Sequence, residues 1–124
     1  MDTEAEVRQF VHDYGEVFST GDPETIAAHF HEPAMLVGEQ VRVLETREDV
    51  QRLFTAVLDG LMERGYDRSA AEEVTVEAVG DDRARARVQW VRYTADEVLE
   101  RLTTTHVFRR TADGWKMVVL LPHG

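Results

Sequence analysis

A helical pattern of apolar and charged residues opens the chain. Over residues 3–20 the apolar positions recur three and four apart, with acidic and basic residues between them. Thr3 and Glu6 have the spacing of a capping box at the start, and Gly21 suits the end because glycine accepts a left-handed conformation. The apolar stripe of this predicted first helix consists of Val7, Phe10, Val11, Tyr14, Val17 and Phe18.

Two further helices are predicted in the first half. Asp22 can cap the second, and Pro23 fits its first position because proline lacks an amide hydrogen. Pro33 bounds its far end. The third helix has the strongest period, with a cap at Thr46 and a stop at Gly65. Its stripe comprises Val50, Leu53, Phe54, Val57, Leu58 and Leu61.

After Tyr66 the period changes to two, which is typical of strands. A short hairpin is also predicted before the third helix, over residues 34–37 and 41–45. Helices followed by antiparallel strands indicate an α+β domain with its helices on one face of a curved sheet. The four long strands are predicted near residues 70–79, 83–94, 99–110 and 115–121.

One of these strands has a charged side. Arg83, Arg85 and Arg87 alternate with small apolar residues, so one face of the strand is predicted to be wet and the other packed. In a basic protein such a row would indicate phosphate binding. In this acidic chain we expect it to pair with acids such as Glu73 and Glu77.

Size, charge and composition narrow the class of protein. A chain of 124 residues with 43% hydrophobic residues suits a single domain over residues 1–124. Its net charge of -10 disfavours nucleic acid and anionic membranes as partners. The absence of cysteine excludes thiolate metal sites and cysteine nucleophiles. Since neither a membrane-length apolar stretch nor a signal-peptide pattern is present, we expect a cytoplasmic location.

The histidines do not have the spacing of a metal site. His29 and His31 lie two residues apart, His12 is on the first helix, and no carboxylate stands at a suitable interval. The sequence also lacks a Gly-rich nucleotide loop and a nucleophilic-serine elbow. We therefore predict neither a metal nor a cofactor.

The order of elements and several short motifs resemble the nuclear transport factor 2-like superfamily, especially its SnoaL-like and ketosteroid-isomerase-like branches. The resemblance covers nearly the whole chain. It implies a cone-shaped α+β domain, with three N-terminal helices packed on a strongly curved, mainly antiparallel sheet around a largely apolar cavity. The motifs are Gly21-Asp22 between the first two helices, Phe30 and Pro33-Ala34 at the first strand, and Asp113-Gly114-Trp115-Lys116 before the last.

The isomerase branch offers a test of chemistry, residue by residue. Tyr14 stands where that branch has its phenol donor, seven residues before Gly21. Gly38 stands where that branch has its catalytic carboxylate, so the base for proton abstraction is missing. His106 lies at or beside the position of the second acid. The resemblance thus implies a cavity and argues against the steroid-isomerase reaction.

The candidate catalytic residues are those expected to face the cavity with a polar group. Tyr14 would donate a hydrogen bond, and Arg92 would hold an anionic oxygen. His106 would carry a proton, because the ordinary pKa of histidine is near ~6.5. Each has a structural alternative: a core tyrosine, an arginine paired with glutamate, and a buried neutral histidine. The ligand-binding wall is predicted to contain Leu36, Trp90 and Phe108.

Two functions are open at this point. In the first, the cavity binds a small, largely apolar molecule and supports isomerase, cyclase or lyase (dehydratase) chemistry without a cofactor. In the second, the domain is a non-catalytic binding or dimerisation module with a vestigial pocket. A cavity above ~300 Å³ with converging polar groups would favour the first function. A cavity plugged by Trp90, Phe108 and Met117 would favour the second.

A homodimer is expected through the outer face of the sheet. Val107, Val118 and Leu120 alternate with the residues predicted to point inward. Apolar surface of this kind needs a cover, and a two-fold pair is the commonest way to provide it.

Overall fold

The computed structural model describes residues 2–123, which form three helices and six strands. The predicted order of elements and the α+β class are confirmed. The helices are α1 (Thr3–Ser19), α2 (Pro23–Ala27) and α3 (Arg47–Glu63). The strands are β1 (Phe30–Val37), β2 (Val41–Leu44), β3 (Arg68–Ala78), β4 (Arg83–Tyr93), β5 (Val98–Thr111) and β6 (Gly114–Pro122).

The six strands form one curved, mixed sheet in the order β2-β1-β6-β5-β4-β3. Only β1 and β6 are parallel, and the other neighbours in this sheet are antiparallel. Irregularities in four of the five strand pairs add the local twist that bends such a sheet. On the inner face α1 packs across β3 and β4, while α3 packs against α2, β1 and β2.

The start of α1 differs from the sequence prediction. Asp2, rather than Thr3, is the N-cap, and its carboxylate accepts a hydrogen bond from the backbone amide three residues later at 2.8 Å. The capping box with Glu6 does not form. Instead, Glu6 Oε1 accepts from the indole of Trp115 at 2.9 Å and from the guanidinium of Arg110 at 2.6 Å. The capping box predicted from the Thr3–Glu6 spacing is therefore wrong, because Glu6 instead accepts hydrogen bonds from side chains of β5 and β6.

The second helix is shorter than predicted. It begins at Pro23 as expected but ends at Ala27, and Phe30 already belongs to β1. Pro33 lies inside β1 and does not mark a helix end. The strand tolerates this proline because the β1–β6 ladder changes register between Phe30 and Met35, where a backbone donor is dispensable.

The third helix matches its prediction at both ends. Thr46 Oγ1 accepts from the amide of Asp49 at 3.2 Å, and the Asp49 carboxylate accepts from the amide of Thr46 at 3.2 Å. Gly65 follows the helix with a φ of 84°, a left-handed conformation that favours glycine. The buried positions of its stripe are Val50, Phe54, Leu58 and Leu61.

One β-bulge changes which residues of β6 face inward. The β5–β6 register shifts just after Val107, where Val118 is an extra, unpaired residue of β6. Such an insertion reverses the alternation of the strand. The predicted outward position of Leu120 is therefore wrong, because Leu120 pairs with His106 on the inner face. Val119 takes the outer position opposite Val107.

Strand β4 has the predicted charged and apolar faces. Arg85 pairs with Glu77 at 2.7 Å, as expected, whereas Arg83 pairs with the adjacent Asp82 at 3.2 Å. The expected pair at Glu73 is not found among the ion pairs of residues 2–123, because Glu73 lies opposite a glutamine in the strand register. The buried residues that alternate with the arginines are Ala84, Ala86 and Val88.

Candidate functional site

A pocket of about 130 Å³ lies between the helices and the inner face of the sheet. Helices α1 and α3 cover it, and strands β3 to β6 form its floor. Aromatic side chains in the wall are Tyr14, Phe18, Phe54 and Trp90. The polar members are Ser69, Arg92, Thr104 and His106, and the aliphatic members are Leu102, Leu120 and Pro122.

Two of the six predicted site residues lie outside this wall, and four lie in it. Phe108 is fully buried two residues further along β5, where it stacks on His106 with 5.7 Å between ring centroids. Leu36 lies on β1, where it pairs with Leu120 of β6. Leu120 is in the pocket wall, so it separates Leu36 from the pocket. The residues brought together as predicted are Tyr14, Trp90, Arg92 and His106.

Tyr14 lies on the buried stripe of α1, surrounded by rings. Its own ring is 6.1 Å from that of Trp90 and 6.4 Å from that of His106. Burial raises the pKa of its hydroxyl well above the ordinary value, although the nearby charge of Arg92 acts in the opposite direction. The causes of this shift include no hydrogen bond, and none is found between this hydroxyl and another group of residues 2–123. Tyr14 is therefore a neutral donor available to the pocket.

Trp90, Thr104 and His106 are joined by hydrogen bonds. Trp90 Nε1 donates to Thr104 Oγ1 at 2.8 Å, and the same oxygen lies 2.7 Å from His106 Nε2. The three residues occupy inward positions on the paired strands β4 and β5, which brings the indole across to the threonine. These bonds hold the indole and the imidazole in fixed orientations at the wall.

The environment of His106 favours a neutral imidazole. The residue is 1% exposed, and burial lowers its pKa to about 4. Its Nε2 is engaged with Thr104, and its Nδ1 has no partner among the described residues. At pH 7 this ring is uncharged, which favours the structural alternative for His106 over a proton carrier.

Of the two β4 residues in the pocket wall, Arg92 lies further along the strand, and we call the part of the pocket beside it the polar end. Its guanidinium belongs to a cluster of three charged side chains with Glu100 and Arg64. Its Nη1 donates to Glu100 Oε2 at 2.6 Å, while Glu100 Oε1 lies 2.8 Å from Nη2 of Arg64. Burial opposes ionisation of Glu100, but the hydrogen bonds from Arg64 and Arg92 outweigh it and lower the pKa of its carboxyl. The guanidinium of Arg92 also lies 5.5 Å from the centre of the Phe18 ring.

The structural alternative predicted for Arg92, a pair with a glutamate, is what forms, but the sequence analysis did not identify Glu100 as that glutamate and gave Thr104 no role in the site. Both have the strand parity of His106, so the alternation that placed His106 inward could also have found them. Phe54 and Ser69 carry no such signal. They reach the pocket only because α3 and β3 are folded against the same space.

Other predicted features lie away from the pocket. Gly38, at the position of the isomerase carboxylate, lies in the turn between β1 and β2, with its amide donating to the carbonyl of Gln40 at 3.1 Å. Within residues 2–123 no three histidine or carboxylate side chains are grouped so as to hold a metal ion. None of the helices in that range has the length and apolar character needed to cross a membrane.

The fold and the pocket together define a class of protein: an α+β domain whose helices and bent mixed sheet enclose a small, mostly apolar space. The profile of a family described as "NTF2-like protein (DUF6841)" matches residues 4–124. The chain belongs to this family, and the superfamily predicted from the motifs is confirmed.

Solved structures of distant relatives have the same fold. A cystatin-like-fold protein of unknown function from Nostoc punctiforme PCC 73102 has a TM-score of 0.80 and 16% identity, over 98% of this chain and 93% of that one. An NTF2-like protein from Novosphingobium aromaticivorans has a TM-score of 0.71 and 24% identity, over 95% and 79%. A proposed dehydratase of the NTF2-like family from Streptomyces avermitilis has a TM-score of 0.71 and 21% identity, over 96% and 93%. A search of curated proteins gives no match.

Proposed function

We propose that this protein binds a small, largely apolar molecule in the pocket between α1, α3 and the sheet. The observation that carries the proposal is Tyr14, a buried residue of the pocket wall whose hydroxyl has no hydrogen bond to another group of residues 2–123. Buried phenols generally have a partner for this group. A ligand oxygen that accepts from Tyr14 would supply it.

The size of the pocket limits the ligand to a compact one. The volume above ~300 Å³ that would favour a ligand-binding cavity is not reached, because the pocket measures about 130 Å³. This is close to the roughly 150 Å³ of an apolar cavity that binds benzene in another protein. Of the three residues that could have plugged it, only Trp90 reaches the wall, because Phe108 and Met117 lie deeper in the core. The space therefore suits one ring with one polar substituent.

Acid–base turnover of the isomerase, cyclase or dehydratase type is a second candidate function. It is supported by the convergence of Tyr14, Arg92 and His106 on one pocket. The phenol and the guanidinium could stabilise an oxyanion. The Streptomyces avermitilis neighbour is named as a proposed dehydratase, which is chemistry of this type. However, His106 with a pKa of about 4 is a weak base at pH 7, so binding is the better supported function.

The binding proposal is tested with acetophenone, a one-ring ketone, by titration calorimetry. We expect the wild-type protein to bind it and Tyr14→Phe to weaken binding about tenfold, the worth of one good hydrogen bond. Tyr93→Phe, a tyrosine outside the pocket wall, should bind like wild type. The proposal is wrong if acetophenone does not bind, or if both variants bind it equally well.

The catalytic candidate has a separate readout. His106→Gln should abolish turnover of an enolisable one-ring ketone while leaving a folded protein, checked by circular dichroism. Exchange of the α-hydrogens of acetophenone with deuterium, followed by NMR, measures this turnover. If the wild-type protein does not accelerate exchange, the function is binding alone.

We also propose that two copies pair through the outer face of the sheet. Val43, Met35, Val119 and Val107 form a continuous apolar row across β2, β1, β6 and β5. Val43, Met35 and Val107 are exposed by 57%, 36% and 38%. Sedimentation should give a species of twice 14.2 kDa, and Val43→Glu should halve it. A wild-type protein that sediments at 14.2 kDa at micromolar concentration would contradict the dimer.

A further inference from the structure

We propose that the ligand of the pocket is a one-ring aromatic carboxylate, whose ring fills the apolar space and whose carboxylate binds Arg92 at the polar end. This inference rests on the binding function proposed above and names its ligand class. It follows from three features of the described residues: an excess of positive charge at the polar end, free donors on Arg92, and an aromatic wall of one-ring size.

The polar end of the pocket carries an uncompensated positive charge. Arg92 and Arg64 share the single carboxylate of Glu100, at 2.6 Å and 2.8 Å. The other strand neighbour of Arg92, across β3, is the uncharged Ser69. In a chain with a net charge of -10, a local excess of positive charge beside Arg92 in a mostly apolar pocket favours an anionic ligand group.

Arg92 has donors to offer to that group. Only its Nη1 is used in a hydrogen bond among residues 2–123, although a guanidinium has five N–H groups. Its side chain is 18% exposed, so water competes weakly with a ligand for these donors. The ring of Phe18 lies under the guanidinium at 5.5 Å and limits its orientations. A planar, partly desolvated guanidinium is the side chain best suited to bind a carboxylate in two contacts.

The remainder of the wall suits an aromatic ring. Phe18, Phe54 and Trp90 surround the space, and ring edges and faces attract one another beyond simple area burial. A benzene-sized volume leaves no room for a second ring. Tyr14 then donates to an oxygen of the same ligand.

The test compares benzoate with acetophenone, its neutral isostere, at pH 7 by titration calorimetry. We expect the wild-type protein to bind benzoate at least tenfold more tightly than acetophenone. Arg92→Gln should remove this preference and leave acetophenone binding in place, while Arg92→Lys should retain part of it because the charge remains. Arg101→Gln, which changes an arginine paired with Glu72 on the outer face, serves as the control and should bind like wild type.

A variant with the opposite effect sharpens the test. Glu100→Gln removes the carboxylate that competes for both guanidinium groups, so it should raise benzoate affinity several-fold without changing acetophenone affinity. Equal binding of benzoate and acetophenone by the wild-type protein would overturn the carboxylate inference and leave the binding function standing. If neither probe binds, the binding function itself fails.

Discussion

The inner face of the sheet has two halves that are filled differently. In the half near the β3–β4 turn, Ala84 on β4 lies opposite Phe108 on β5, and this small-with-large pairing packs as solid core. In the other half Trp90 lies opposite Leu102 and Arg92 opposite Glu100. There, hydrogen bonds hold Trp90 to Thr104 and Arg92 to Glu100, and a gap remains between these side chains and the helices. His106 marks the border.

This difference shows how a pocket can persist in a close-packed protein. Interiors fill to uniform density when large and small residues alternate across facing positions. Trp90 does not move into the gap because its Nε1 donates a hydrogen bond to Thr104 Oγ1 at 2.8 Å. Arg92 is held in the same way by its hydrogen bond to Glu100. Buried polar groups that are satisfied in this way keep their geometry, so the space beside them stays open.

The largest expected effect is on the free energy of unfolding, compared between one substitution in each half of the inner face. Phe108→Ala should lower the free energy of unfolding by about 3–5 kcal/mol, because it leaves a cavity in solid core. Leu102→Ala, in the pocket wall, should cost about 2 kcal/mol, because its side chain already borders open space. Urea unfolding measures both. Equal losses would mean that the two halves are packed alike.

The next largest effect is the pH dependence of stability caused by His106, the residue at the border between the two halves. The pKa of His106 falls from 6.5 to about 4 on folding, so between these values the unfolded chain binds more protons than the folded one. The free energy of unfolding should therefore fall by about 3 kcal/mol as the pH is lowered from 6.5 to about 4. Above pH 6.5 His106 is neutral in both states and causes no loss. His106→Gln should show a flatter profile between pH 6.5 and 5 in the same unfolding experiment. Parallel profiles would argue against a neutral buried imidazole.

The smallest effect tests how tightly the open half is held. A Cβ added at Gly15 of α1 would lie 2.9 Å from Cζ3 of Trp90, so Gly15→Ala must push the indole toward the pocket. We expect a loss of about 1–3 kcal/mol and weaker acetophenone binding.

Gly60→Ala is the matched control for that change. Gly60 lies in α3 with nothing within 4 Å of the added Cβ, so the substitution should stabilise the helix by up to about 1 kcal/mol. A similar gain for Gly15→Ala would show that Trp90 yields freely and that hydrogen bonding to Thr104 does not hold it.

Much of the architecture could be predicted from local patterns. The stripe of α3 with Thr46 and Gly65 at its ends, and the alternation of arginines with small residues on β4, depend on neighbours in sequence. The same alternation placed Trp90, Arg92 and His106 on the inner face. These positions follow from periods of 3.6 and two residues, which hold wherever the element forms.

The errors arose where a distant segment decided the outcome. Glu6 is taken from its predicted cap by Trp115 and Arg110, and Leu120 turns inward because of an inserted residue in β6. A bulge cannot be predicted from the pattern of one strand, because it is defined by how that strand pairs with its neighbour. The roles predicted for Leu36 and Phe108 depended on the depth of the pocket, which parity along a strand does not specify.

By itself, the sequence determined which side chains face inward along most strands, where the helices begin and end to within a few residues, and which family of folds they build. Tertiary structure alone decided that a space remains beside Trp90, that Glu100 joins two arginines at its polar end, and that the phenol of Tyr14 has no hydrogen-bond partner within residues 2–123. The reason is physical: side-chain direction is set by the local backbone, whereas empty volume and unmet hydrogen bonds are defined only by all the segments that surround them.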